Sequence, residues 1–150
     1  MQRVDDEREA GLIEPEIQRL VDAARLGRDC SLSPFSNFCV GAAVETEDGK
    51  IYTGCNIESA SFGLTVCAER VAIWKALSEG ERKFKRIAVV ADTDPMTPPC
   101  GTCRQIIWEW CRNTTVILAN LHGGIEIIEM RELLPRAFDA RFLKEVSNEK

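Results

Sequence analysis

Apolar positions along the chain change period several times, and each change marks an element. Ile17, Leu20, Val21 and Ala24 recur at helical spacing, Pro15 fits the first turn of that helix, and Gly27 reads as its stop. From Phe38 to Glu45 the period falls to two, with Phe38, Val40, Ala42 and Val44 on one face and Cys39, Gly41 and Ala43 on the other. Both faces are apolar, so this strand belongs inside a sheet. Asp48-Gly49 signals a hairpin turn, and Ile51 to Cys55 returns as the second strand. A polar loop, Asn56 to Thr65, leads to a helix that starts at Cys67, carries Val71, Ala72, Ile73, Trp74, Ala76 and Leu77, and is ended by Gly80.

Arg86 to Ala91 contains a continuous apolar run, suited to a strand covered on both faces. A Pro-rich loop follows, then a helix opened by Cys100. Cys103, Ile106, Ile107, Trp110 and Cys111 form its expected buried stripe, and Arg112 and Asn113 supply a closing cation and a left-handed cap. Thr114 to Ala119 is the next strand. A strand, a helix and a strand in succession make a crossover unit, so these two strands should be parallel. His122-Gly123-Gly124 turns the chain into a short strand, Ile125 to Glu129, followed by a helical turn through Leu133-Leu134 and a charged tail. The reading is an α/β fold: a five-stranded mixed sheet with helices packed on both faces. Residues 1–13 read as a frayed extension, and residues 14–150 as one domain.

Composition narrows the function classes. The chain has 150 residues, 45% of them apolar and 29% charged, which suits one globular domain with a proper core. A net charge of -5 without any Lys/Arg run argues against a nucleic-acid partner. No apolar run reaches the roughly 18 residues of a membrane span, and the start lacks a signal-peptide core. The expectation is a cytoplasmic protein with neither membrane nor nucleic acid as partner.

In a reducing compartment the seven cysteines stay free or bind metal. Cys67 opens a helix, where the positive end of the dipole favours a thiolate, and Glu69 stands two residues on. Pro99-Cys100-Gly101-Thr102-Cys103 offers two further sulfurs, spaced to grip one tetrahedral ion, at the start of another helix. Alone, a C-x-x-C pair is equally a redox or structural-zinc motif, and Cys-Ala-Glu means little. Together they carry the signature of zinc deaminases, in which a His or Cys precedes a glutamate that stays outside the metal shell. The remaining Cys30, Cys39, Cys55 and Cys111 read as buried small apolar residues; Cys55 or Cys39 as a fourth ligand would make the site structural.

At these residues the chain resembles the cytidine deaminase family, in its small homotetrameric, three-cysteine form. The likeness runs from about Leu20 to Phe138. It includes Phe38-Cys39-Val40-Gly41-Ala42-Ala43, Gly54-Cys55-Asn56-Ile57-Glu58, Cys67-Ala68-Glu69-Arg70, Pro99-Cys100-Gly101-Thr102-Cys103-Arg104-Gln105 and Glu132-Leu133-Leu134-Pro135. The resemblance implies that family's three-layer fold and one Zn²⁺ per subunit on Cys67, Cys100 and Cys103. It also implies a homotetramer with sites at subunit interfaces. Glu69 would be the proton carrier in hydrolytic deamination of cytidine and deoxycytidine, a step of pyrimidine salvage. Arg70 would contact the ligand sulfurs. Asn56 and Glu58 would bind ribose hydroxyls, Phe38 would lie against the nucleoside, and the backbone of Ala68 would meet the base. Phe138 would stack on the base in a neighbouring subunit's site.

Each residue also has a plainer reading. Glu69 complements a helix dipole, Arg70 is a surface cation, Arg104 is structural, Asn56 and Glu58 are a solvated loop pair, Phe38 is core, and His122 is a solvated turn residue. The chain departs from many members in carrying Phe62 and Phe35 where tyrosine is common, and in a longer N-terminus. Rival functions are a zinc-stabilised structural module, a thiol oxidoreductase using Cys100 and Cys103, and a deaminase of another aminopyrimidine such as a nucleoside antibiotic. RNA or DNA editing sits poorly with the acidic charge.

Overall fold

The apolar run read at Arg86 to Ala91 becomes the middle strand of the sheet, and two cores are built on its faces. The computed structural model describes residues 13–146. In chain order its elements are α1 (Pro15–Arg28), β1 (Val40–Thr46), β2 (Ile51–Cys55), a 3₁₀ turn (Phe62–Leu64), α2 (Ala68–Ser78) and β3 (Phe84–Ala91). They continue with α3 (Gly101–Cys111), β4 (Thr115–Ala119), β5 (Ile125–Glu129), α4 (Met130–Leu133) and α5 (Arg141–Val146). The frayed extension read at residues 1–13 lies, apart from Ile13, outside the described residues.

The strand order is β2-β1-β3-β4-β5, with β3 and β4 parallel and every other pair antiparallel. This is the mixed sheet expected, and the crossover through α3 accounts for its one parallel pair. The period-two alternation of β1 divides as read. Val40, Ala42 and Val44 face one core with Ala72, Ile73, Val89 and Ile107. Ala43 faces the other with Leu20, Val21 and Ala24 of α1. Thus α1 covers one face, and α2 and α3 the other.

Several local readings are corrected. Gly27 does not stop α1, which runs on to Arg28. It is buried, and a Cβ there would sit 2.8 Å from the Gly54 carbonyl oxygen, so it is a contact point between α1 and the sheet. Trp110 is exposed and Ile106 half-buried, so the buried stripe of α3 narrows to Cys103, Ile107 and Cys111. Arg112, not Asn113, takes the positive φ that ends α3. The Asn113 side chain instead donates to Glu129 and accepts from the Arg131 amide. β1 starts at Val40 rather than Phe38, because the Phe38 carbonyl and Val40 amide bond to Asn56. The charged tail holds the short helix α5, where Asp139 accepts from the Arg141 amide.

Gly54 determines where α2 sits. A Cβ there would lie 2.4 Å from the Ala68 carbonyl oxygen and 2.5 Å from the Ala72 nitrogen, both backbone atoms of α2. Only a bare backbone on β2 lets the first turn of α2 approach that closely. Gly54→Ala should lower stability by about 1–3 kcal/mol or more by pushing α2 outward. Gly63→Ala, with nothing near its Cβ, should leave the melting temperature unchanged. Thermal denaturation of the two variants checks the contrast.

Candidate metal centre and active-site cavity

Two helix N-termini meet beyond the sheet, and each begins on a cysteine. Cys67 and Cys100 are the extended N-cap residues of α2 and α3, and neither side chain caps the backbone of its own helix. Both sulfurs are therefore free to point across the gap between the helices. Cys103 lies in the first turn of α3 and is fully buried. The three sulfurs lie within 4.8 Å of one another, with Cys67 Sγ 3.7 Å from Cys100 Sγ. A tetrahedral zinc with Zn–S of ~2.3 Å has sulfur–sulfur edges of about 3.8 Å. Among the described residues no fourth His, Cys, Asp or Glu joins this group.

The charges also call for a cation. A hydrogen bond from Cys103 holds the Cys67 thiol down to about 5, against burial and with help from Arg70 and Cys100. Cys103 is pushed far above the ordinary thiol range, first by that same bond and then by burial. The hydrogen bond between the two sulfurs thus favours the thiolate at Cys67 and the thiol at Cys103. Ionising all three sulfurs in so small a space requires a positive ion, so the donor set fits zinc in both size and softness.

Arg70 supplies part of the surrounding positive charge. Its Nη2 lies 3.7 Å from Cys67 Sγ and 3.4 Å from the Thr65 carbonyl oxygen, to which it donates. Its guanidinium rests over the exposed Trp74, 5.7 Å from the ring centroid. The surface-cation reading of Arg70 is thereby corrected. Arg104 is structural: it donates to the Pro99 and Leu133 carbonyl oxygens and ties the cysteine loop to α4.

Glu69 is 4% exposed. Burial, then the charge on Cys67, pushes its carboxyl up to about 7. It lines a cavity of about 150 Å³ together with Cys67, Ala68, Cys100, Phe38 and Asn56. Asn56 is held on three sides. Its Oδ1 accepts from the Val40 amide at 2.9 Å and from the Ser31 hydroxyl, and its Nδ2 donates to the Phe38 carbonyl oxygen at 2.6 Å. Glu58 lies outside this lining. Its Oε1 accepts from the Phe35 and Ser36 amides at 2.9 and 3.1 Å, and Ser36 holds its carboxyl below the usual range. Phe138 is also outside it, exposed and stacked on Phe142 with ring centroids 5.6 Å apart.

The structure thus brings the three sulfurs, Glu69, Ala68, Phe38 and Asn56 to one place, and leaves Glu58 and Phe138 apart from it within one chain. Of the other cysteines, Cys55 and Cys111 are buried as read, and burial pushes Cys111 up to about 12. Cys39 is half-buried, and Cys30 is exposed, against its reading as core. His122 is an exposed turn residue as read, 2.8 Å from Asp92 Oδ1. The cavity also uses Thr65, Val66, Val89, Thr97 and Pro98, which the sequence reading did not single out. Only Thr97-Pro98, directly ahead of the cysteine pair, carried a signal, since a loop so placed must border whatever the sulfurs hold.

No helix among the described residues is long and apolar enough to cross a membrane. Residues 15–119 match the family model of the cytidine and deoxycytidylate deaminase zinc-binding region. A cytidine deaminase of Halalkalibacterium halodurans is 52% identical over 124 residues, covering 82% of this chain and 94% of that protein. One from Sporosarcina psychrophila is 48% identical, covering 82% of this chain and 91% of its own length. The crystal structure of cytidine deaminase from Burkholderia pseudomallei superposes with a TM-score of 0.79 at 44% identity, covering 81% of this chain and 98% of that one. Sulfur cluster, sheet order and sequence agree, and the chain belongs to the cytidine and deoxycytidylate deaminase family.

Proposed function

We propose that this protein is a zinc-dependent deaminase that converts cytidine and 2′-deoxycytidine, with water, to uridine and 2′-deoxyuridine plus ammonia. The observation that carries the reading is a buried carboxylate, Glu69, on the wall of a small cavity beside three clustered sulfurs. Cys67, Cys100 and Cys103 would hold the ion, and Arg70 would offset the surplus negative charge of three thiolates. Zinc so held supplies Lewis acidity, which lowers the pKa of a water toward ~7.

Glu69 takes a proton from the attacking water and passes it to the ring nitrogen beside C4. It then carries the second proton to the departing amine. A carboxyl poised near neutrality can both accept and release protons in that sequence. Phe38 forms an apolar wall for the nucleoside, and the Ala68 backbone meets the base edge. The Asn56 amide and the Glu58 carboxylate bind a sugar hydroxyl as donor and acceptor respectively. The exposed Phe138 ring suits a contact made in a neighbouring subunit, as a homotetramer with shared sites would use it. Such an enzyme belongs in pyrimidine salvage in the cytoplasm.

Incubating the purified protein with cytidine, deoxycytidine and cytosine, with and without a zinc chelator, tests this reading. The cytosine-ring absorbance should fall for both nucleosides, and prolonged chelation should abolish the change. A protein that holds zinc yet leaves both nucleosides intact would be a structural zinc module instead. A metal-independent disulfide between Cys100 and Cys103 would mark an oxidoreductase.

A further inference from the structure

Ser31 sits in the loop after α1, outside the five sequence blocks that carry the resemblance. Its hydroxyl is placed against Asn56 Oδ1. Behind it runs a line of small polar groups: Ser33 Oγ lies 3.3 Å from Ser31 Oγ, and Cys39 Sγ lies 3.2 Å from Ser33 Oγ. Ser31 has one hydrogen, and of the oxygens within its reach the side-chain Oδ1 of Asn56 is the nearest.

The consequence falls on Asn56. A side-chain amide has two acceptor sites and two donor hydrogens. The Val40 amide and the Ser31 hydroxyl fill both acceptor sites, and the Phe38 carbonyl takes one hydrogen. A single N–H is left for the cavity. The Val40 amide, the Phe38 carbonyl and the Ser31 hydroxyl together fix which way the amide is turned, and Ser31 also fills the acceptor site that a ligand could otherwise use. We propose that Ser31 is a positioning residue for substrate binding, which makes Asn56 a donor alone toward a nucleoside's sugar. This rests on the deaminase reading above. The sugar oxygen that meets Asn56 must then accept, and its own hydrogen must go elsewhere.

The test compares Ser31→Ala with the wild type on cytidine and on 2′,3′-dideoxycytidine, which lacks both secondary hydroxyls. With the Asn56 amide less firmly held, its hydrogen bond to the sugar weakens, which predicts a KM for cytidine raised about 2- to 10-fold with kcat little changed. Ser31→Thr, which restores the hydroxyl, should recover the wild-type value. For dideoxycytidine the variant and the wild type should share one KM. Equal losses on both substrates, or no loss on either, overturn the proposal. A wild type that turns over neither substrate sinks the deaminase reading instead. The Asn56 side-chain amide signals of the ligand-free protein then still decide the positioning claim, since they should move in Ser31→Ala and return in Ser31→Thr; unmoved signals overturn it.

Discussion

Glu69→Gln should fold, bind zinc with the wild-type stoichiometry and lose cytidine turnover by about 10²- to 10⁴-fold, the usual contribution of a positioned acid–base group. Glutamine has nearly the shape of glutamate and keeps a carbonyl oxygen, so the 4%-exposed position remains filled. It cannot accept and release a proton. The expected result is therefore a fall in kcat with metal content intact. Stability should not suffer. Burial raises the Glu69 carboxyl in the folded chain, which means that folding opposes its ionisation above the unfolded carboxylate range. A neutral amide removes that cost, so the melting temperature at neutral pH should be no lower than in the wild type. Metal analysis, a melting curve and the absorbance assay on one preparation decide the matter. Undiminished turnover would leave Glu69 as no more than a complement to the dipole of α2.

The sheet was legible because its strands are short apolar runs with clear punctuation, and because a crossover has one favoured hand and direction. The sulfur cluster was legible because each cysteine marks a helix start, and the positions of those starts follow from local signals. What escaped the sequence depends on contacts made far along the chain. Gly27 looks like a helix stop, yet its lack of a side chain serves the Gly54 carbonyl on another element. Trp110 fits the spacing of a buried stripe, but α3 shows that side of itself to solvent. Phe38 has the alternation of a strand residue, while the Asn56 side chain takes the backbone bond that a neighbouring strand would otherwise make. The same limit applies to Ser31, whose role requires knowing where Asn56 turns. Glu58 and Phe138 mark another boundary. Each has a partner within its own chain, backbone amides for one and Phe142 for the other, and neither lines the cavity.

Cys103→Ser and Cys111→Ser separate metal from packing on a single helix. Both residues lie on the inner face of α3, 0% and 5% exposed. Only Cys103 belongs to the sulfur cluster; Cys111, two turns on, faces the apolar core. A hydroxyl is a poor replacement for a thiolate on zinc, and the two remaining sulfurs no longer make a three-point grip. Cys103→Ser should therefore retain little zinc after dialysis and show no measurable deamination. Added zinc should also fail to raise its melting temperature. In the wild type, free zinc at 100 times its dissociation constant stabilises the fold by about 2.7 kcal/mol. Cys111→Ser should instead lose stability, because a hydroxyl enters an apolar site, yet keep its zinc and its turnover wherever it remains folded. If both variants kept zinc equally, the three sulfurs would not be the metal's ligands. The carboxylate on the cavity wall would then have no activated water to work on.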